Sequence, residues 1–254
     1  MWLLQVVGLV KRYGGVIATD NLTLTVAPGE VHAVIGPNGA GKTTLINQLT
    51  GELPPDEGKI LFGGIEINHL SAAKRAAQGL ARSFQISQVF REMSVLQNML
   101  IAGAVRRTGR CGVWSRAVDD AELVDRACEV LGLVGLKERV HANVGTLAHG
   151  EVRQLELAMA LFTKPKLLLL DEPMAGMSAS ESERIVKLLQ SLKGRYGILL
   201  VEHDMDAIFR LADRITVLVN GRAIICGTLA EIQASCEVRE AYLGNDNLSC
   251  EPAS

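Results

Sequence analysis

The stretch Val31-His32-Ala33-Val34-Ile35-Gly36-Pro37-Asn38-Gly39-Ala40-Gly41-Lys42-Thr43-Thr44 decides how the chain is read. From Gly36 to Thr43 it fits G-x-x-x-x-G-K-[ST], with a second threonine, Thr44, behind it. The apolar run Val31–Ile35 precedes the loop, and Leu45, Ile46 and Leu49 come after it at helical spacing. Strand, glycine loop and helix form the context in which this pattern holds phosphate. Gly39 and Gly41 keep side chains out of the way where successive backbone N–H groups wrap an anion. The helix behind the loop points unsatisfied N–H groups and its positive dipole end at the same place. Lys42 adds a point charge at the β- and γ-phosphates, and the Thr43 hydroxyl can ligate Mg²⁺.

A second stretch, Leu167-Leu168-Leu169-Leu170-Asp171-Glu172-Pro173, supplies acids. A continuously apolar run reads as a buried parallel strand. Such a strand delivers the residues at its carboxyl end to the ligand-binding edge of an open α/β sheet. Asp171 is placed to hold Mg²⁺ through water, and Glu172 to orient or deprotonate an attacking water. Both roles suit phosphoryl transfer, where positioning and charge neutralisation dominate.

The remaining composition narrows the field. The chain has 254 residues, 48% hydrophobic and 21% charged, a length for one large domain or a core with a subdomain. Its net charge of −2 gives no global field to recruit nucleic acid. Five cysteines, without a C-x-x-C pair, argue against a disulfide scaffold or zinc site and fit a reducing cytosol. Each cysteine reads as a small buried hydrophobe. No apolar run approaches a membrane span, and the apolar start at Trp2–Val7 reads as a first strand rather than a signal peptide.

Along the chain, 3–10 and 16–27 read as strands separated by Lys11-Arg12-Tyr13-Gly14-Gly15. A helix over 42–50 ends at Gly51, and 54–58 is a turn. Short strands come next at 60–62, 65–67 and 80–84. From about 86 to 163 the pattern is mainly helical. Val95, Leu96, Met99 and Leu100 share one face, as do Leu123, Ala127, Val130, Leu131 and Val134, and then Val152, Leu155, Met159 and Phe162. A polar loop near 106–120, carrying Arg106, Arg107, Arg110 and Arg116 around Trp114, separates the first two helices. The β/α alternation then resumes. Ser180 and Glu183 read as a capping box, 198–201 as a strand and 204–212 as a helix. A hairpin turns at Asn220-Gly221, helical patterns lie near 229–243, and 245–254 reads as a frayed tail.

With both motifs in this order, the chain resembles the nucleotide-binding subunit of ABC transporters along nearly its whole length. The resemblance implies an α/β fold. It has a P-loop (RecA-like) core, an antiparallel β subdomain and an inserted α-helical subdomain. Residues 1–85 would form the first part of the core, 86–165 the helical subdomain and 166–244 the second part, with 245–254 a flexible tail. Carried over residue by residue, Tyr13 matches the aromatic that stacks on adenine. Gly36, Asn38, Gly39, Ala40, Gly41, Lys42, Thr43 and Thr44 match the phosphate loop. Gln85 matches the glutamine that reaches Mg²⁺ and the attacking water, and His203 the switch histidine on the γ-phosphate.

Leu147-Ala148-His149-Gly150-Glu151 resembles the family signature Leu-Ser-Gly-Gly-Gln, which meets ATP held by the opposite subunit. Ala148 lacks the serine hydroxyl, His149 replaces glycine and Glu151 replaces glutamine. His149 either donates to phosphate or is merely exposed. Ser178 stands where the family has the aspartate of its D-loop, or serves as the N-cap of the next helix.

Finer details resemble ATPases of branched-chain amino acid importers. These are Ala81–Gln85, Val89–Asn98, Val201–Asp206 and the closing Glu240–Gly244. ATPases of urea or amide import and of lipopolysaccharide export share several of them. A regulatory subunit that holds ATP with little turnover is the alternative from another class. The resemblance further implies ATP and Mg²⁺ as ligands, and a second ATPase subunit, same or related, as partner. Transmembrane permease subunits would bind directly and a solute-binding protein indirectly. The expected place is the cytoplasmic face of the inner membrane, held there through the permease, with no nucleic acid partner.

Overall fold

The structure, a computed structural model, describes residues 1–83, 89–108 and 120–235. Three strands lead to the phosphate loop: β1 (Leu4–Tyr13), β2 (Val16–Val26) and β3 (Val31–Ile35). The loop feeds α1 (Lys42–Thr50), which ends at Gly51 in the left-handed conformation, φ 83°. Next come β4 (Glu57–Phe62), β5 (Ile65–Glu66), α2 (Ala72–Gln78) and β6 (Leu80–Ser83). Three longer helices succeed them, α3 (Val95–Thr108), α4 (Ala121–Leu133) and α5 (His149–Phe162), with short 3₁₀ turns at Lys137–Arg139 and Val144–Thr146. The chain then alternates through β7 (Leu167–Asp171), α6 (Ala179–Leu192), β8 (Gly197–Val201) and α7 (Met205–Leu211). It closes with β9 (Arg214–Val219), β10 (Arg222–Gly227) and α8 (Leu229–Ala234).

Two sheets form. One is antiparallel, in the order β2-β1-β4-β5; the other has the order β10-β9-β3-β8-β7-β6 and is parallel except for its β10 edge. Every residue of β3, β7 and β8 is buried, which is why these strands read as unbroken apolar runs. Alternation still sorts their faces. Leu167 and Leu169 of β7 join Leu4, Val6, Leu24 and α1 in the layer between the two sheets. Leu168 and Leu170 point the other way, into a core shared with Ile185, Leu188 and Leu189 of α6. That second core continues into α3, α4 and α5 through Met99, Leu131, Leu155 and Phe162. Among the described residues, no helix is long and apolar enough to cross a membrane.

Several boundaries differ from the sequence reading. The β1–β2 hairpin is tighter than the expected five-residue break: β1 runs on through Tyr13, which pairs with Val16 across Gly14-Gly15. The segment 72–78 forms a helix that the apolar pattern does not reveal, because its buried member is Arg75. The Arg75 guanidinium donates to the carbonyls of Gln48 and Leu49, at 2.7 and 2.8 Å, where α1 ends. It also reaches Leu70 and Asn68, at 3.1 Å each. The capping box of α6 is Ser178 with Glu181, not Ser180 with Glu183, so this helix begins at Ala179. Of the arginine patch expected in a loop near 106–120, Arg106 and Arg107 fall on the last turns of α3, while Arg110, Trp114 and Arg116, like the tail after 235, lie outside the described residues.

Candidate nucleotide site

The phosphate loop is held by its neighbours' backbones. A Cβ on Gly36 would lie 2.2 Å from the Leu218 carbonyl of β9, and one on Gly41 would lie 2.2 Å from the Ala18 carbonyl of β2. Gly39, at φ 81°, has nothing within 4 Å of its Cβ position. Glycine at 36 and 41 therefore admits other strands, not only an anion, while Gly39 supplies a backbone conformation. The Gly221 N–H, in the β9–β10 turn, donates to the Ala40 carbonyl at 3.0 Å and clasps the loop from the side. Helix α1 starts with no side-chain cap and no acid in its first turn. Its first N–H groups and dipole are thus left for an anion.

Lys42 is buried and its Nζ donates to the carbonyls of Gly36 and Pro37, at 2.6 and 3.0 Å. Its ammonium lies across the loop it belongs to. Burial lowers its pKa, while the nearby charges of Glu172 and Asp171 pull the other way. Thr43 and Asn38 are exposed, and Thr44 is half-buried on α1.

The acids lie where β7 ends. Asp171 is 3% exposed, and burial raises its pKa against the opposing charge of Arg82. Glu172 adopts φ 49°, a left-handed conformation uncommon for a residue with a side chain. Such strain persists where the surroundings impose it, and it gathers at functional sites. Here the Glu172 N–H is tied to the Val201 carbonyl of β8 at 2.8 Å. The turned backbone presents the carboxylate to His203, whose Nε2 lies 2.7 Å from Glu172 Oε1. Both side chains remain partly open to solvent, 31% for Glu172 and 46% for His203.

Two residues that sequence reading left without a role hold this arrangement. Arg82 on β6 donates to Asn47 at 2.9 Å, to Glu52 at 2.7 Å and to Asp171 at 3.3 Å. It ties α1 to the buried acid. Glu202, 5% exposed, accepts the N–H of Met174 and that of His203, each at 2.9 Å. One carboxylate thus bridges the loop after Glu172 and the loop that carries His203. Burial raises its pKa, more than these N–H donors lower it. In sequence, Glu202 shows only as a charged residue after an apolar strand and Arg82 only as a charged residue within a short one.

Tyr13 stands exposed at the tip of the β1–β2 hairpin, with the Lys11 ammonium 5.9 Å from its ring centre. Strand β2 from the same hairpin meets the phosphate loop at Ala18. Gln85 lies outside the described residues.

In the Ala148–Glu151 segment, helix α5 begins at His149, so Gly150 lies in its first turn rather than before it. Ala148 is the N-cap without a capping side chain, and Glu151 accepts the Ala148 N–H at 2.9 Å. Glu151 also meets Arg139 at 3.0 Å. The carboxylate of Glu181 from α6 fills the other side: a Cβ on Gly150 would lie 2.4 Å from it. Ser178 is the N-cap of α6, its hydroxyl accepting the Glu181 N–H. The phosphate loop, the β7 acids and His203 are brought together within one chain. Among the described residues, no hydrogen bond or ion pair joins the Ala148–Glu151 side chains to them.

Comparison with known proteins places this geometry. The family described as "ABC transporter" matches residues 19–175. A high-affinity branched-chain amino acid transport ATP-binding protein, LivG, of Escherichia coli K12 is 38% identical over 251 residues, covering 95% of this chain and 98% of the relative. Its counterpart BraF of Pseudomonas aeruginosa is 36% identical over 249 residues, covering 95% and 98%. A nucleotide-free ATP-binding cassette of an ABC transporter superposes with a TM-score of 0.84 at 30% identity, over 96% of this chain and 100% of that one. An ATP-binding cassette in its ADP conformation gives 0.84 at 31%, over 96% and 99%. The chain belongs to the ABC transporter family, as the subunit that binds ATP and couples its hydrolysis to transport.

Proposed function

We propose that the chain powers an importer of branched-chain amino acids, as one of two ATPase subunits docked on transmembrane permease subunits. The names and full-length coverage of its relatives support this cargo class. ATP lies with its phosphates on residues 36–44 and its adenine on Tyr13. The Ala148–Glu151 segment of a second subunit, same or related, closes over the γ-phosphate. A solute-binding protein delivers cargo on the far side, and the ATPase sits on the cytoplasmic face of the inner membrane.

The observation that carries the mechanism is the Glu172–His203 pair at 2.7 Å. Glu172 takes the proton of the attacking water, and the strained backbone fixes where its carboxylate points. His203 leaves Glu172 for the γ-phosphate when ATP arrives, so that substrate binding frees the base. Lys42 likewise exchanges the Gly36 and Pro37 carbonyls for phosphate oxygens. The oxygen donors Thr43 and Asp171 suit Mg²⁺, with Gln85 as a third contact from the sequence reading. Among the described residues no group of three or more His, Cys, Asp or Glu side chains could hold a metal by itself. When bound, Mg²⁺ neutralises charge on the transferring phosphoryl group.

The test is hydrolysis by the chain assembled with its permease in membrane vesicles. Leucine, isoleucine or valine with their receptor should stimulate it, and Lys42→Ala should abolish it. Stimulation by urea or an amide and not by these amino acids would overturn the cargo class.

A further inference from the structure

A second cluster of titratable groups lies away from the nucleotide site, on the face of the large sheet that meets β2. Cys226 of β10 pairs in register with Thr216 of β9. Cys226 is an exposed residue, contrary to the expectation of a buried hydrophobe. Its sulfur accepts a hydrogen bond from Arg214 Nη2 at 3.0 Å. The guanidinium is fixed from two further sides. It lies 5.7 Å from the Trp2 ring centre, and its Nη1 is 3.4 Å from both Thr25 Oγ1 and Glu30 Oε1. Beneath the sulfur lies His32 on β3, fully buried. Its Nδ1 faces Glu30 Oε1 at 3.1 Å and its Nε2 faces Thr216 Oγ1 at 2.7 Å.

The directions of these bonds form a relay. Burial disfavours the imidazolium, yet hydrogen bonds and charge from Cys226 and Glu30 outweigh it and raise the His32 pKa. As imidazolium, His32 donates from both nitrogens, to Glu30 and to Thr216. Thr216 then has its own proton free for the sulfur. Burial pushes the thiol up, but the His32 imidazolium beneath it, the Thr216 hydroxyl and the charge of Arg214 bring it down to about 7. Low-pKa, accessible thiols beside Arg and His⁺ are the reactive ones.

We propose that Cys226 is a modification site, a thiolate held ready by Arg214, His32 and Thr216 that reacts with hydroperoxides and small soft electrophiles. With hydrogen peroxide the sulfur attacks one peroxide oxygen. An S–O bond forms, the O–O bond breaks, and hydroxide leaves and takes a proton from solvent to become water. The sulfur is oxidised by two electrons to sulfenic acid and the peroxide is reduced. The hairpin that carries Cys226 is the one whose Gly221 clasps the phosphate loop at Ala40.

The experiment treats the full chain with hydrogen peroxide at neutral pH, traps sulfenic acid with dimedone and reads each cysteine by peptide mass spectrometry. The same cysteine in urea is the reference. Cys226 should be labelled about three- to fourfold faster in the folded chain than in urea, the gain in thiolate fraction less the loss in intrinsic nucleophilicity. Arg214→Met and Thr216→Val should each slow the folded rate severalfold and leave the rate in urea unchanged. Circular dichroism confirms that the variants fold, and Arg214→Lys, keeping the charge, should recover part of the loss. A folded rate equal to or below that in urea overturns the proposal. So does a rate indifferent to both substitutions in folded protein.

Discussion

Gly41→Ala and Gly39→Ala look equivalent in the phosphate-loop pattern, but the structure separates them. At position 41 the new Cβ would lie 2.2 Å from the Ala18 carbonyl oxygen, at φ 101°. Ordinary contact begins near 3.4 Å, so β2 or the loop must move by about 1 Å. Left-handed backbone costs about 1–2 kcal/mol, and forced displacement of packed structure another 1–3 kcal/mol. A total of about 3 kcal/mol lowers the melting temperature by roughly 6–12 °C in a chain of this size. At position 39, φ is 81° and the space is open. Only the backbone term remains, about 1–2 kcal/mol and roughly 2–8 °C. Thermal melts in nucleotide-free buffer measure both variants. Binding of a fluorescent ATP analogue should then be lost in Gly41→Ala, because the N–H groups proposed to wrap phosphate move with the loop. A Gly41→Ala protein that melts within about 2 °C of Gly39→Ala would show that the Ala18 carbonyl does not constrain the loop.

Arg75→Met should lower stability by about 3 kcal/mol in urea titrations, because four backbone carbonyls lose a charged donor. Arg82→Gln should weaken nucleotide-dependent turnover more than nucleotide binding, since Arg82 orders Asp171 beside the reaction and does not line the phosphate loop; steady-state kinetics separate the two. Glu202 has a raised folded pKa, so the fold favours its protonated form and ionisation costs stability. Wild type should therefore lose stability relative to Glu202→Gln as pH climbs from the ordinary carboxylate range through the raised value, read from paired denaturation curves at stepped pH.

Much of the site is legible in sequence because its chemistry is local. The phosphate loop, the acids after β7 and the Asn220-Gly221 hairpin are each a few consecutive residues whose types their backbone dictates. Gly51 closing α1 and the buried faces of α4 and α6 come from the same logic of caps and period. What sequence hides is whatever depends on distant partners. Arg75 reads as a surface helix residue until the end of α1, 27 residues earlier, comes to lie against it. Arg82 meets Asp171 across 89 residues, and His32 meets Thr216 across 184. The α6 cap shows a subtler limit. Ser178–Glu181 and Ser180–Glu183 have identical spacing, so local pattern alone does not choose between them. Ser178 takes the cap, and Glu183 is drawn instead to Arg210, at 2.6 and 3.0 Å.

The role given to Glu172 is tested most directly by Glu172→Gln. The isosteric amide keeps a partner for His203 but takes no proton from water. Purified variant should bind ATP, lose hydrolysis by about 100-fold or more, and sediment as an ATP-bound dimer where wild type with ATP does not accumulate one. A Glu172→Gln protein that hydrolyses ATP at the wild-type rate contradicts the account.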